Sequence, residues 1–314
     1  MGVHHQADCS LAKLIWIFLR WCHGAHPFKD STPSIKPGAV QSIFGRVSKI
    51  TFLSICLIVT IFPLYWIVIT SLKAPGAIYE LPLKYWPSEI SFDNYIGLFT
   101  KSDFGRYMVN SLIVATVAST VATLISLLSA YVLARFQFAG RGAVMAAFLL
   151  TQMIPGFIAL GPLYMMMSNF DLVDSKTGLI LVYIAICIPF CTIMLRGFFE
   201  NVPDALEEAA MIDGCSRLSA LFRVLVPVMM PGIAASFIFN FVNCWNELFL
   251  SVTLMNSDEN KTIPTALAGF ISSFNIDWGS MSAAAVLTVV PTLAIFAFAS
   301  KFIVQGLTAG AVKG

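Results

Sequence analysis

Residues 201–232, NVPDALEEAAMIDGCSRLSALFRVLVPVMMPG, form a polar island between two strongly apolar segments. Residues 200–227 carry seven charges (Glu200, Asp204, Glu207, Glu208, Asp213, Arg217 and Arg223) in 28 positions, too many for a span buried in lipid. The punctuation is nevertheless helical. Pro203 stands where a first helical turn accepts proline, and Asp204, Glu207 and Glu208 follow at the positive end of the helix dipole. Gly214 supplies a stop, and the spacing predicts a second helix over 216–226 with Leu218, Leu221, Phe222 and Leu225 on one face. Pro227 and Pro231 are expected to close it. Two short helices lying flat at a membrane surface are suited to being held by a partner.

The rest of the chain is membrane-like in composition. Hydrophobic residues make up 58% of the 314 and charged residues 11%, against roughly one half and one quarter in soluble domains. A net charge of +2 gives no case for nucleic-acid binding. Seven cysteines are present, but Cys9 and Cys22 lie near the N-terminus, Cys215 in the polar island, and Cys56, Cys187, Cys191 and Cys244 in apolar runs. None falls in a segment assigned to the outside, which argues against a disulfide framework. Cys187 and Cys191 share a helix face without a histidine or carboxylate nearby, so packing as small apolar residues is the favoured reading over a metal site.

Six apolar stretches, at about 51–71, 109–133, 143–168, 178–199, 231–254 and 282–303, each approach the roughly 20 residues that cross the hydrocarbon. Pro63, Pro155, Pro162, Pro189 and Pro291 interrupt them, which packed membrane helices tolerate as kinks. With the N-terminus in the cytoplasm, thirteen of the 19 Lys and Arg fall on the inside and six on the outside. The sign of that bias sets the topology. The expected fold is thus an all-α membrane protein of six transmembrane helices with both termini cytoplasmic. A cytoplasmic loop over 200–230 joins helices four and five. The expected divisions are an N-terminal extension over 1–49, a first span over 50–72, an ordered extracytoplasmic loop over 73–107, a five-helix transmembrane domain over 108–303, and a cytoplasmic tail over 304–314. A second sizeable outside loop covers 256–279. The short apolar run 14–19 is too brief for a span.

No GxxxxGK[ST] phosphate loop, GxSxG elbow or HExxH occurs, so ATP binding by that route and the corresponding catalysis are excluded. All four histidines (His4, His5, His23 and His26) lie in the first 26 residues, a solvated tail. No catalytic residue, metal ligand or resident cofactor is expected. Within the spans Glu247 stands out, late in the fifth and near its outer end, where a carboxylate should face a cavity, a polar partner or the interface. Asn240, Asn243 and Glu247 are spaced by three and four and share a helix face, and Asn246 joins them through its relation to Asn243. Such a stripe suits a pathway for a hydroxyl-rich solute. It equally suits hydrogen bonding across helices, toward which Glu247 leans because its place lets it reach the headgroup level. Gln152 and Asn110 are weaker pathway candidates, Asn110 being as well explained as a helix cap.

The polar island also supports a family resemblance. EAAMIDG at 208–214, followed by Phe222, Val224, Val226 and Pro227, resembles the cytoplasmic EAA loop of ABC-importer permeases, with Val224 and Val226 in place of the usual Ile and Leu. VPDALEE at 202–208, WNE at 245–247 and the ending QGLTAGAVKG at 305–314 resemble the carbohydrate-uptake type, similar to the maltose-system inner permease without a large extra domain. The resemblance covers about 50–314. It implies a multi-pass subunit of the cytoplasmic membrane that pairs with a second permease as a heterodimer, meets an extracytoplasmic solute-binding protein, and moves a sugar or related polyol. ATP would be bound by separate ABC ATPase subunits. By the same resemblance Glu208, Ala209, Ala210, Asp213, Gly214, Phe222 and Pro227 belong to the loop that docks on them. The small alanines allow close helix approach, and Gly214 permits the turn. A stand-alone secondary transporter or channel is the alternative, although it fits poorly with spans in which Glu247 is the one ionisable group well within a span. An intramembrane enzyme lacks any nucleophile–base set.

Overall fold

Long apolar runs with few charges make helices, since backbone groups in hydrocarbon must be satisfied within the segment itself. The computed structural model describes residues 39–271 and 276–311, with side chains over 47–271 and 276–297. In chain order the helices are α1 (Ala39–Ser71), α2 (Asp93–Thr100), α3 (Phe104–Arg135), α4 (Arg141–Met153), α5 (Leu160–Asn169) and α6 (Lys176–Glu200). They continue with α7 (Asp204–Ile212), α8 (Arg217–Ala220), α9 (Val226–Asn246), α10 (Phe249–Leu254), α11 (Ile263–Gly269) and α12 (Trp278–Ala311). Among the described residues the only β-pairing is an isolated bridge between Ile271 and Ile276. The readings of His4, His5, His23, His26, Cys9, Cys22 and the 14–19 run lie outside the described residues, as do the side chains of the tail over 304–314.

The chain divides into two units, 1–59 and 60–314. In the first, the described side chains from Val47 to Val59 are exposed. Among the described residues five helices are long and apolar enough to cross a membrane: Val47–Ser71, Phe104–Arg135, Lys176–Glu200, Arg217–Asn246 and Trp278–Ala297. Within the same residues a sixth crossing is available as a bent pair, Arg141–Met153 with Gly156–Asn169, folded by 94°. The expected rod over 143–168 is therefore broken. Ile154 is extended (φ −79°, ψ 119°), as a residue before proline prefers, and Pro155 has no N–H to continue the ladder.

Proline has the opposite outcome in the fifth span. Closure at Pro227 and Pro231 does not occur; α9 runs through both to Asn246. Leu221–Leu225 coils as a π-turn between α8 and α9, and the Val226 N–H reaches back to the Leu221 carbonyl. That wider turn relieves the contact between the Pro227 ring and the preceding turn. The expected second flat helix is accordingly the root of a span. Its predicted apolar face is cut lengthwise: Leu221 and Leu225 are fully buried, whereas Leu218 and Phe222 remain 62% and 51% exposed.

α3, α6 and α9 pack together, with α12 against α9. Ala115, Ala118, Ser119, Ala122, Ser126 and Ala130 are buried along α3, and a seam of small side chains lets helices approach where lipid offers no hydrophobic drive. Gly232 serves the same purpose on α9. A Cβ there would stand 2.5 Å from the Phe198 ring of α6. One buried cluster joins Phe104, Leu179, Tyr183, Phe241, Trp245 and Leu254; another joins Leu127, Tyr131, Leu195, Phe199, Leu221 and Leu225 beneath the 200–216 segment.

The loop over 73–107 is ordered, as its mixed composition suggests. The Asn94 amide donates to the carbonyls of Ser71 (3.0 Å) and Lys73 (2.7 Å), while Lys73 Nζ donates to the Lys84 carbonyl at 2.7 Å. The segment 255–262 is also tied down. Asp174 Oδ1 accepts from the N–H groups of Asn256 (2.9 Å) and Ser257 (3.0 Å), and Asn260 Nδ2 donates to the Asp174 carbonyl at 2.6 Å. Asn110 lies within α3 rather than capping it, and its amide donates to the carbonyls of Glu259 (2.9 Å) and Lys261 (3.0 Å).

Candidate functional site

α7 grows from its sequence in the expected way, displaced by one residue. Pro203 occupies the N-cap with extended ψ (135°) rather than the first turn, and Asp204 and Glu207 fill that turn. At the far end Gly214 takes φ +89°, a left-handed conformation that costs an L side chain about 1–2 kcal/mol. The Cys215 N–H then reaches the Ala210 carbonyl at 2.9 Å, closing the helix. Six of the seven residues singled out, Glu208, Ala209, Asp213, Gly214, Phe222 and Pro227, are exposed, and Ala210 turns inward. Ile212, which the sequence reading passed over, is 85% exposed, a large apolar side chain presented beside Asp213.

Beneath α7 lies a polar network that sequence spacing did not reveal. Tyr131 donates its hydroxyl to Glu207 Oε1 at 2.5 Å. Arg135 donates through Nη2 to the Val202 carbonyl at 2.8 Å and through Nη1 to Asp204 Oδ1. Its Nε lies 3.3 Å from Glu207 Oε2, within ion-pair range though too bent to count as a hydrogen bond. The Arg135 and Glu207 side chains are 11% and 8% exposed. A polar concavity of about 500 Å³ opens beside this network, lined in part by Arg141, Glu200 and Glu208. Arg217 lies over the Phe136 ring at 5.0 Å, fastening the start of α8 to the end of α3.

The α9 stripe is divided by the structure. Asn240 is buried, its Nδ2 donating to Thr123 Oγ1 on α3 at 3.3 Å, whereas Asn243 and Asn246 are exposed. Asn246 Nδ2 donates to its own helix at the Val242 carbonyl (2.9 Å). Glu247 leaves the helical face altogether, because α9 ends at Asn246 and Glu247 is extended (ψ 117°). Its carboxylate turns to the next helix, α10, accepting from the Leu250 N–H (3.0 Å) and the Ser251 N–H (3.2 Å), and from the Tyr183 hydroxyl (3.0 Å). This is a helix cap, with Trp245 anchored alongside by its Nε1–H to the Thr288 carbonyl at 3.3 Å. Gln152 is exposed on α4. The hydroxyls of Thr192 on α6 and Ser236 on α9 are buried without a partner.

Cys187 and Cys191 are both buried, as packing predicts, but Cys187 meets Cys244 of α9, with Sγ atoms 3.6 Å apart. Among the described residues no group of three or more His, Cys, Asp or Glu could hold a metal ion. Outside the spans, burial works to raise the Asp174 carboxyl, but hydrogen bonds from Ser257, Asn256 and Asn260 outweigh it and hold the group below its usual value.

A bundle of membrane-length helices with one charged, exposed helix between two spans is the architecture that comparison must explain. The family model described as "Binding-protein-dependent transport system inner membrane component" matches residues 122–308. The chain belongs to this family. It is similar to the diacetylchitobiose uptake system permease protein DasC of Streptomyces coelicolor, 36% identical over 87% of this chain and 99% of the relative. The sulfoquinovosyl glycerol transport system permease protein SmoH of Agrobacterium fabrum is 35% identical over 90% and 100%, and the trehalose transport system permease protein SugB of Mycobacterium tuberculosis 34% over 80% and 92%. In fold it resembles a chain of a bacterial ABC transporter involved in import of the acidic polysaccharide alginate, with TM-score 0.74 at 20% identity over 85% of this chain and 99% of that one. The permease is thus a multi-pass, non-catalytic subunit of an ABC importer in the cytoplasmic membrane, with ATP hydrolysis on a separate subunit. A stand-alone secondary transporter or channel is set aside.

Proposed function

We propose that this permease forms one half of a heterodimeric membrane domain that imports a sugar or related polyol, and that α7 with the turn after it is held by the ATPase. The observation that carries the reading is the orientation of α7. Glu207 and Ala210 face the bundle, while Glu208, Ala209, Ile212 and Asp213 face outward on a helix that is too charged for lipid. Exposed Leu218 and Phe222 extend that surface with apolar area. The Lys and Arg bias supports a cytoplasmic position for this loop and both termini, with 1–49 as an extension and 304–314 as a tail. On the opposite side, 73–107 and 256–279 are the surfaces for the solute-binding protein. The permease needs no cofactor of its own, ATP being bound by the partner.

The solute class follows from the hydroxyl-rich compounds in the names of the relatives and from the amides of α9. Exposed amides in a spanning helix are disfavoured against lipid, so Asn243 and Asn246 face the second permease or the water-filled path. Glu247 takes the cap role instead of a pathway role. The test is purification with the ATPase and second permease, followed by uptake in vesicles. Glu208→Ala or Gly214→Leu should abolish ATP-driven uptake while membrane insertion persists, and Asn243→Leu should alter solute preference with the ATPase still bound. Uptake by this chain alone, insensitive to ATP depletion, would sink the reading.

A further inference from the structure

α7 packs against α8 and the Leu221–Leu225 turn, but its own fully buried residues are only Glu207 and Ala210, with Met211 half-buried. One alanine methyl is a small anchor for a helix that must bear load. The chain on either side is also short, with 201–203 before the helix and 213–216 after it, the latter including the left-handed Gly214. What ties α7 to α3 itself is the side-chain network from the last turn of that helix. Tyr131 and Arg135, one turn apart on α3, reach Glu207 and Asp204, three apart on the first turn of α7, and Arg135 also takes the Val202 carbonyl. A planar guanidinium with several donors is the group that can serve three acceptors from one position.

The far side of this network is equally anchored. Tyr131 packs against Phe136 (5.7 Å between centroids) and Phe199 (5.8 Å), inside the cluster that joins α3, α6 and the root of α9. α3 in turn makes the most extensive helix packing of the bundle. Any force on α7 therefore has a side-chain route into the spans besides its backbone connections.

We propose that Arg135, supported by Tyr131, is the positioning residue that transmits movement of α7 to α3, so that ATP hydrolysis and solute passage stay coupled. This rests on α7 being the surface held by the ATPase. Losing the network leaves α7 able to bind the ATPase yet tilt without carrying α3. Hydrolysis then proceeds without transport.

The test uses the assembled transporter, with ATPase and second permease, in proteoliposomes supplied with solute-loaded binding protein. Two quantities are read: ATPase subunit recovered with the permease, and ATP hydrolysed per solute imported. Arg135→Gln is expected to raise that ratio about tenfold with ATPase recovery unchanged, and Arg135→Lys to raise it less, since an ammonium cannot meet three acceptors in one plane. Tyr131→Phe removes a single hydroxyl, leaves the fold intact and is expected to raise the ratio about threefold. The charge exchange Arg135→Glu with Glu207→Arg should recover part of the coupling. An unchanged ratio in Arg135→Gln and Tyr131→Phe, with ATPase bound, overturns the inference. So does an equal fall of hydrolysis and uptake in both. Failure of the underlying reading looks different: no ATPase would be recovered with the unmodified permease, or Glu208→Ala would leave uptake intact.

Discussion

Replacing Glu247 separates a cap from a pathway group. Its carboxylate accepts the Leu250 and Ser251 N–H groups and the Tyr183 hydroxyl, all within 3.0–3.2 Å. Glu247→Ala removes a cap worth about 1 kcal/mol and a hydrogen bond to a charged group worth about 1.5–3 kcal/mol. It also strands two backbone donors in a half-buried place. The sum is about 3 kcal/mol, or roughly 6–12 °C in melting temperature for a domain of 150–250 residues. Glu247→Gln keeps one acceptor oxygen and should lose about half as much. In a double-mutant cycle with Tyr183→Phe, the two losses should fall short of additivity by about 1 kcal/mol or more, because they delete the same bond. The assay is thermal unfolding of the purified complex in detergent, followed by tryptophan fluorescence, beside uptake of a panel of sugars. Glu247→Gln should melt earlier and import the same solutes. An unchanged melting curve together with a changed solute preference would refute the cap and return Glu247 to the pathway.

Two further outcomes follow from packing and titration. Gly232→Ala sets a methyl 2.5 Å from the Phe198 ring; overpacking of this kind costs about 1–3 kcal/mol, and Phe198→Leu in the same chain should restore most of the lost thermal stability, whereas full stability of Gly232→Ala alone would contradict the close approach of α9 to α6. Asp174 has its carboxyl lowered, so the stability it contributes is present above the usual carboxylate pKa of about 3.9 and is lost as pH falls through its lower folded value. Amide exchange across 256–260, corrected for intrinsic rates, should therefore stay flat from neutral pH to about 5 and rise only below about 4. Asp174→Asn should abolish that acid dependence, and a rise between pH 7 and 5 in the unmodified chain would count against the clamp.

The spans were legible because some twenty apolar residues in a row have one solution in lipid, and the charges of 200–227 because they have none. Gly214 was legible too, as a glycine at a helix end. Pro227 misled because the effect of a proline depends on the turn preceding it, and a π-turn leaves no mark in hydropathy. Pro155 broke its helix while Pro189 and Pro291 did not, so the residue type alone does not decide the outcome. The α9 stripe divided because Asn240 turns inward while Asn243 and Asn246 are exposed, and because periodicity places Glu247 with Asn240 only if the helix continues, whereas it stops one residue short. Tyr131 and Glu207 are 76 positions apart, so their contact belongs to tertiary structure and no local pattern announces it.

The passage of α8 through the π-turn into α9 makes Arg217–Asn246 one unbroken helix of 30 residues. At about 1.5 Å per residue it is about 45 Å long, against about 30 Å of hydrocarbon. Standing upright, it would leave about a third of its length clear of the bilayer core. It is one continuous rod from Arg217 to Asn240, crossed by the wider coil at Leu221–Leu225 and by Pro231. The wider coil at Leu221–Leu225 sits at the loop end of that rod, like a collar where it enters the bundle. The polar loop and the buried amide of Asn240 thus share one helical backbone, with no loop between them.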